Sequence, residues 1–350
     1  MKLFTVGPTE MYEDTFEVGS KQLPYFRTNE FSKIVLETSS KMKKLLYTNE
    51  DTKLIFITGS GSAAMESIVS NSFNKEDKLL IINGGTFGAR FKQISEIYNI
   101  PYETVDVKYG ETLNIEHFKN YNLKEFTGML VNIDETSTGQ LYDIELLSKI
   151  CNDNGIDLVV DAISSFLADE YYMDKYNIKC TVLSTQKALS ISPGLSILAI
   201  NNDFYERKIK NKKPINLYLN INEHVVNMER GQTPNTPAVG IILELHERIK
   251  HIDSAIDEVN RVKENAIYFR NKIKDLGLET PSFPLSNALT PIIFPNDNAK
   301  EVFEYLKNKY EIYVNPTGGE MGNKSLRVAH IGNLKKEDYD ILIEKMKEVL

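Results

Sequence analysis

The sequence has little of what marks secreted or membrane-spanning chains. Cysteine occurs only twice in 350 residues, at Cys151 and Cys180, and the two do not form a CxxC pair. We therefore expect two buried, reduced thiols, with neither a disulfide nor a metal site. No apolar run approaches the ~20 residues that a membrane span needs. The N-terminal segment turns at once to Gly-Pro, unlike a secretory signal, so we expect a cytoplasmic protein without membrane contact.

Basic residues are also in the minority. The chain has 41 Lys and Arg against 49 Asp and Glu, a formal net charge of −8, and its lysines are interspersed with acids. This balance argues against nucleic acid as a partner. The hydrophobic content of 41% is that of an ordinary globular chain. A length of 350 residues exceeds what one hydrophobic core usually serves, which predicts one large and one smaller domain.

Short apolar runs alternate with helix-length segments in the first 200 residues. The candidate strands are residues 53–58, 78–83, 102–107, 128–134, 157–162, 179–184 and 195–200. Segments with apolar residues at helical spacing lie between them, at 61–73, 87–98 and 144–155. The alternation predicts an α/β domain in which a mostly parallel seven-stranded sheet lies between helices.

The pattern changes after residue 200. A helical pattern runs over residues 239–276, and further candidates follow it: strands at 288–294, 311–316 and 325–331, and helices at 299–310 and 335–350. These elements predict a small C-terminal α+β domain. We assign residues 1–20 to an N-terminal arm, 21–250 to the large domain and 251–350 to the small domain.

A glycine-rich turn, TGSGSAAMES at 58–67, joins the first large-domain strand to a helix. Free backbone N–H groups and the helix dipole favour a phosphate at such a turn, and Ser60 and Ser62 add hydroxyl groups. The turn also fits a G-x-G-x-x-A dinucleotide fingerprint, but the next strand ends in Asn83 where an acid is expected. A nicotinamide-dependent dehydrogenase is therefore disfavoured. The turn alone does not separate phosphate binding from a plain strand-to-helix connection.

Two reactive side chains follow other strands. Asp161 ends the run LVVD, at the edge where open α/β sheets bind ligands, although a lone aspartate there often only caps the next element. Lys187 lies in the small, polar loop STQKALSISPG, whereas an isolated lysine is usually solvated. Burial would lower its pKa and free the amine to form a Schiff base. A phosphate-binding turn, an aspartate and a lysine are together what a pyridoxal phosphate enzyme needs.

The chain resembles the class V aminotransferases of the alanine–glyoxylate and serine–pyruvate kind, which are pyridoxal phosphate enzymes of fold type I. The resemblance covers nearly the whole chain. It rests on the ordered motifs VGPT, TGSGSAAMES, NGGTFGARF, DETSTGQL, VVDAISS, STQKALSISPG, TPNTPA and LRVAHIG. It implies a large domain with the cofactor, a small C-terminal domain, and a homodimer with shared active sites.

The resemblance also implies roles for individual residues. Lys187 would be the Schiff-base lysine, Asp161 would pair with the ring nitrogen, and Arg327 would bind the substrate carboxylate. Phe87 would stack on the ring, and Thr138 or its neighbours in ETSTG would contact the ring hydroxyl. The phosphate would be held by residues of three motifs, namely Ser60, Gly61, Ser62, Gln186 and Thr236 of the partner subunit. Purely structural roles remain as alternatives, with Phe87 in a helix core, Thr138 as a turn residue and Arg327 as a surface arginine.

The sequence departs from the family pattern near the predicted substrate pocket. Phe87 stands where many members have Trp or Tyr, which keeps an aromatic face for stacking. Residues 133–134, Ile-Asp, precede Glu135 where a His is common, and Ala329 replaces a frequent Gly. The resemblance is therefore closer in the cofactor site than in the substrate pocket.

The function implied is transfer of an amino group between alanine or serine and glyoxylate or pyruvate. An alternative is 2-aminoethylphosphonate–pyruvate aminotransferase, whose phosphonate would need further cations, for which Arg27 and Arg90 are the candidates. A cysteine desulfurase needs a nucleophilic cysteine in the small domain, where neither cysteine lies. A non-catalytic binding protein with this fold would not need Lys187 and Asp161.

Overall fold

Strands and helices alternate along most of the chain. The computed structural model describes residues 1–350, the side chain of Glu320 excepted. The strands are β1 Lys2–Phe4, β2 Lys53–Thr58, β3 Leu79–Asn83, β4 Tyr102–Asp106, β5 Gly128–Asn132, β6 Asp134–Glu135, β7 Gln140–Leu141, β8 Asp157–Asp161, β9 Cys180–Ser184, β10 Leu195–Ile200, β11 Leu289–Ile293, β12 Ile312–Pro316 and β13 Ser325–Ala329.

The α-helices cover these strands and connect most of them. They are α1 Glu13–Gly19, α2 Asn29–Leu45, α3 Gly61–Ser72, α4 Gly88–Ile97, α5 Ile144–Asn154, α6 Asn202–Lys208, α7 Ile221–Met228, α8 Val239–Lys250, α9 Ala255–Lys274, α10 Ala299–Tyr310 and α11 Lys336–Lys347. Short 3-10 helices occupy Ile115–Phe118, Leu123–Glu125 and Gly319–Met321. None of the helices in the described residues is both long and apolar enough to cross a membrane.

The large sheet has seven strands in the order β2-β10-β9-β8-β5-β3-β4. The prediction of a mostly parallel seven-stranded sheet is confirmed, because only β10 runs antiparallel to its neighbours. The connection from β9 to β10, residues 185–194, is shorter than the dozen or so residues that a parallel crossover needs. Every residue of β10 is buried, as expected for a strand covered on both faces.

Two predicted elements are each divided in the structure. The predicted strand 128–134 ends at Asn132, and Asp134 instead pairs with Leu141 in a separate two-stranded hairpin. The predicted helix over 239–276 is two helices, α8 and α9. The division has a local cause, because the hydroxyl of Ser254 accepts the N–H of Asp257 at 3.2 Å and caps a new helix.

A second sheet has four strands in the order β1-β12-β13-β11. The N-terminal strand β1 lies parallel to β12 and forms an edge of this sheet. Phe4 is 1% exposed and packs on Tyr339 of α11, with 5.6 Å between ring centroids. Residues 2–4 thus pack in the C-terminal core, while the division into an arm and two domains stays a prediction.

The parallel strands of the large sheet end at one edge. Asn83, Asn132, Asp161 and Ser184 are the last residues of β3, β5, β8 and β9. Since these strands run in the same direction, the loops that follow them meet there. Both cysteines are buried and free.

Candidate active site

Lys187 lies in the loop after β9, and its side chain is half-buried. Burial lowers the pKa of its amine to about 8, because the charged form loses hydration there. The charges of Asp134 and Asp161 raise this pKa, whereas that of Arg327 lowers it. A fraction of the amine is therefore neutral, and nucleophilic, near neutral pH.

Asp161 ends the neighbouring strand β8 and is 2% exposed. Its Oδ1 accepts the N–H of Ile163 at 2.9 Å, and its Oδ2 accepts the side-chain amide of Asn132 at 3.2 Å. Burial raises its pKa to about 6, although these hydrogen bonds and the charge of Lys187 lower it. The carboxyl is therefore ionised at neutral pH and suited to face a cation.

The glycine-rich turn packs against the segments that carry these two residues. A Cβ at Gly61 would lie 2.3 Å from Cδ1 of Ile163 and 3.4 Å from Cβ of Ser184, so the turn packs directly against the side chains of both segments. The hydroxyl of Ser184 in turn donates to Oε1 of Gln186 at 2.5 Å. The structure therefore brings the turn, Asp161 and Gln186 to one place.

Hydroxyl groups at the start of α3 differ in their partners. Ser60 is the N-cap residue, but its side chain makes no capping hydrogen bond. Ser62 accepts a hydrogen bond from Nη1 of Arg90 at 2.9 Å. The helix N-terminus thus combines backbone N–H groups, an uncommitted hydroxyl and a nearby guanidinium, which together suit a phosphate.

Phe87 and Thr138 lie on two loops that Glu135 joins. The Glu135 side chain is fully buried, and its Oε2 accepts the N–H of Gly88 at 3.0 Å, at the first turn of α4. Its Oε1 accepts the N–H of Phe87 at 3.4 Å. Thr138 donates to the carbonyl oxygen of Glu135 at 3.2 Å, so its hydroxyl stabilises the turn in which it lies. Sequence reasoning gave Glu135 no role.

Arg327 reaches the site from β13 of the second sheet. Its Nη1 donates to the carbonyl oxygen of Thr136 at 2.6 Å, and its Nη2 donates to that of Pro316 at 3.0 Å. Among the described residues, its buried Nε has no hydrogen-bond partner. Burial lowers its pKa, which the charges of Asp134 and Glu135 raise. An arginine held in this way is not a surface arginine.

Thr236, like Ser60, is exposed to solvent in the single chain. Its segment nevertheless lies beside the glycine-rich turn, because the N–H of Ala238 donates to the hydroxyl of Thr58 at 3.0 Å. A second chain would have to cover this face for Thr236 to reach a phosphate.

The N-terminal VGPT motif also packs on the site, although sequence reasoning gave it no role. The hydroxyl of Thr9 donates to the carbonyl oxygen of Lys187 at 3.1 Å. A Cβ at Gly7 would lie 2.9 Å from Cδ of Lys187. The glycine therefore lets the backbone approach the lysine side chain. In the sequence, the Gly-Pro pair outside any predicted helix or strand was the feature that could have indicated this role.

Asp134 is a second residue that sequence reasoning left without a role. Its side chain is fully buried, and neither carboxyl oxygen has a hydrogen-bond partner among the described side chains and backbone. Burial and the charge of Asp169 raise its pKa to about 8, whereas the nearby Ser164 hydroxyl and the charge of Lys187 lower it. In the sequence, an acid at the end of an apolar strand could have indicated a site residue here, as it did for Asp161.

Comparisons with known proteins agree with this arrangement. The family model for aminotransferase class-V matches residues 10–326. An uncharacterized aminotransferase of Methanocaldococcus jannaschii is 30% identical over 341 residues, which are 94% of this chain and 87% of the relative.

Solved structures of the same fold differ in the activities that their names state. The alanine–glyoxylate aminotransferase of Nostoc sp. superposes with a TM-score of 0.92 at 24% identity, over 99% of this chain and 94% of that one. The aspartate aminotransferase of Thermus thermophilus also gives 0.92, at 21% identity over 100% of both chains. Fold and family are thereby shown, while the substrate is not. With its Lys187, Asp161 and glycine-rich turn at one edge of a fold-type I sheet, the chain belongs to the aminotransferase class-V family of pyridoxal phosphate-dependent transaminases.

Proposed function

We propose that this chain binds pyridoxal phosphate and moves an amino group between a small amino acid, alanine or serine, and a small 2-oxo acid, glyoxylate or pyruvate. The observation that carries the proposal is the meeting of Lys187, Asp161 and Arg327 in one partly buried site. The charges of Asp161 and Arg327 both act on the pKa of Lys187, so both side chains lie within electrostatic reach of the lysine.

The donor set fits the cofactor. Asp161 is a buried carboxylate that needs a cation, and the uncommitted hydroxyl of Ser60 lies at a helix N-terminus. Pyridoxal phosphate, when bound, supplies a protonated ring that accepts electrons from the substrate. Asp161 would hold the proton on the ring nitrogen, and Ser60, Gly61, Ser62 and Gln186 would bind the phosphate. Phe87 would stack on the ring, and Thr138 would lie near its hydroxyl.

Lys187 would first hold the cofactor and then move a proton at the substrate Cα. Its pKa of about 8 suits this work, since a catalytic base is most effective when its pKa lies near the working pH. Arg327 would orient the substrate by its carboxylate, with the unpartnered Nε as a free donor. An α-amino acid carries its amine and its carboxylate on one carbon, which matches the proximity of Lys187 and Arg327.

The phosphonate alternative is less well supported by the cations of the site. Arg27 donates to Oε1 of Gln232 and to the carbonyl oxygen of Thr233, both at 3.0 Å. Arg90 is bonded to Ser62 at the phosphate turn. A phosphonate would therefore have to share one of these cations or Arg327, whereas a monocarboxylate needs Arg327 alone.

We also propose a homodimer in which Thr236 of the partner subunit completes the phosphate site. Large apolar side chains are exposed on this chain: Leu217 is 89% exposed, Tyr25 68% and Ile215 63%. Tyr218, the neighbour of Leu217, donates to the carbonyl oxygen of Thr58, which places Leu217 near the glycine-rich turn. An apolar side chain this exposed supports an interface beside the turn.

An absorbance spectrum and a substrate screen test the proposal. We expect the purified protein to show the visible absorbance of lysine-bound pyridoxal phosphate, and Lys187→Ala to lose it together with essentially all turnover. The exposed Lys213→Ala is the matched control and should behave as wild type. Alanine or serine with glyoxylate or pyruvate should be the productive pairs. A colourless protein that does not take up the cofactor, or a Lys187→Ala variant that turns over normally, would contradict the proposal.

A further inference from the structure

Two charged groups of the site are buried without a partner. Asp134 is 0% exposed, and neither carboxyl oxygen has a partner of good hydrogen-bond geometry among the described groups, although the Ser164 hydroxyl lies near enough to lower its pKa. The Nε of Arg327 is buried and equally unpaired in the described part of the chain. Buried polar groups are normally hydrogen-bonded, because leaving one unpaired costs about 1–3 kcal/mol and more when it is charged. An acceptor and a donor of opposite charge thus lie unsatisfied in one site.

The hairpin β6-β7 brings Asp134 near Arg327, although the two side chains form no ion pair within 4 Å. Asp134 is in β6, and the carbonyl oxygen two residues later, at Thr136, accepts Nη1 of Arg327 at 2.6 Å. The hydroxyl of Ser164 donates to the carbonyl oxygen of Asp134 at 3.2 Å and so fixes the backbone there. Among the acids that act on Arg327, Asp134 raises its pKa most.

Other charged and titratable groups also face Asp134. They are Glu135 and Tyr142 from its own hairpin, Asp169 and Lys187 from the loops of the large sheet, and Arg270 and Arg327 from α9 and β13. Most of these groups are already engaged. Arg270 donates to Ser286, Leu289 and Thr290, and Asp169 accepts from Ser286 and Asn287. Arg327 is therefore the guanidinium with a donor left for Asp134.

We propose that Asp134 is a resident acid that competes with the substrate carboxylate for Arg327 and takes up one proton from solvent when that carboxylate binds. The inference rests on the proposed role of Arg327. Two ionised carboxylates beside one guanidinium in a dry site repel each other, so one of them becomes protonated. The substrate carboxylate gains the charge-assisted hydrogen bond, and Asp134 becomes neutral. No covalent bond is made or broken except the O–H bond to the added proton.

The consequence is a pH dependence of carboxylate affinity. Burial and the neighbouring acids raise the pKa of Asp134 to about 8, so below this pH the acid is already neutral and binding needs no further proton. Above it Asp134 is ionised, and binding must bring a proton with it. The dissociation constant of a monocarboxylate should then rise about tenfold for each pH unit above this pKa. Asp134→Asn should abolish the rise, because the amide is neutral at every pH.

Calorimetric titration of the holoenzyme with propionate measures the proton directly. Propionate carries the carboxylate of alanine but no amine, so it binds without reacting. Titrations at about pH 9 in two buffers of different ionisation enthalpy give the number of protons taken up. We expect close to one proton for wild type and markedly fewer for Asp134→Asn. Asp77→Asn, a buried acid paired with Lys208 away from the site, should match wild type.

Two further titrations separate the possible failures. Arg327→Lys should weaken propionate binding in either background, and the uncharged propionamide should show no proton uptake. Equal proton uptake by wild type and Asp134→Asn, with propionate binding that depends on Arg327, would overturn this inference and leave the proposed function standing. Propionate binding that Arg327→Lys leaves unchanged would overturn both.

Discussion

Among the residues of the site, Asp161 is the one whose charge gives the clearest prediction for activity. It is nearly inaccessible to solvent, and its pKa of about 6 lies above that of a free aspartate because burial disfavours the ionised form. We expect Asp161→Asn to fold and to bind pyridoxal phosphate, but to lose roughly 10²–10³-fold in kcat, since removing one partner of a buried charge pair costs about 2–5 kcal/mol. Single-turnover kinetics of the reconstituted variant would measure the loss.

The pH dependence of cofactor binding distinguishes an electrostatic role of Asp161 from a structural one. Protonation below pH 6 removes the carboxylate that we propose to pair with the ring nitrogen, so the affinity of the wild-type apoprotein for the cofactor should fall as the pH drops through about 6. The Asp161→Asn variant should lack this fall. Normal turnover in the variant, or the same pH profile in both proteins, would remove Asp161 from the ring nitrogen.

Individual residues of the site differed in how far the sequence could reveal them. Lys187 and Asp161 could be predicted because a charged side chain directly after an apolar strand is unusual and both follow strands. Asp134 follows the same rule, yet its strand was predicted two residues too long and the acid was included in it. The hydrogen bond of Thr138 to Glu135 is a local turn contact, whereas the bond of Arg327 to Thr136 joins distant segments and appears in no local pattern.

Elements of the fold were predictable in proportion to their length. The strands 53–58 and 195–200 have the predicted bounds because four or five apolar residues bounded by polar turns leave little ambiguity. The hairpin β6-β7 has two residues on each side, and β1 has three, too few to show a periodicity. The antiparallel direction of β10 is set by the short connection from β9, which the composition of the strand does not show.

The position of the N-terminal segment after β1 can be tested by a substitution that adds one methyl group. Gly7→Ala would place its Cβ 2.9 Å from Cδ of Lys187 and 3.2 Å from the carbonyl oxygen of Gln186, so the lysine must move. We expect retained cofactor binding but a fall in kcat of about tenfold, equivalent to about 1.4 kcal/mol of misplacement. Gly318→Ala, where the added Cβ meets no atom within 4 Å, is the matched control.

Steady-state kinetics and the cofactor spectrum of both glycine variants would decide the point. A shift of the absorbance maximum in Gly7→Ala, without one in Gly318→Ala, would locate the effect at the lysine. Equal kcat for the two variants would show that the side chain of Lys187 adjusts without loss, and that the VGPT motif does not position it.

At the scale of the whole molecule, the first residues of the chain connect its two sheets. Strand β1 completes the small sheet, the backbone N–H of Val6 donates to Oδ1 of Asn315 at 2.6 Å, and Thr9 then contacts the loop of Lys187. The predicted N-terminal arm thus links the small sheet to the loop of Lys187. Such a link depends on residues more than 300 positions apart for Val6 and Asn315, which explains why sequence periodicity did not reveal it.

The exposed apolar surface beside the glycine-rich turn gives the prediction for the assembled molecule. If a second chain covers Leu217 and brings its Thr236 to the phosphate, then Leu217→Asp should introduce an unpaired charge into the interface, dissociate the dimer and weaken cofactor affinity together. Ile97→Asp changes a 70% exposed residue of α4 and should alter neither property if, as we propose, the interface lies at the turn. Sedimentation velocity with detection at the cofactor wavelength follows both quantities in one experiment. A wild-type monomer that keeps its cofactor and full activity would refute the shared site, because the phosphate would then be held without any residue of a partner.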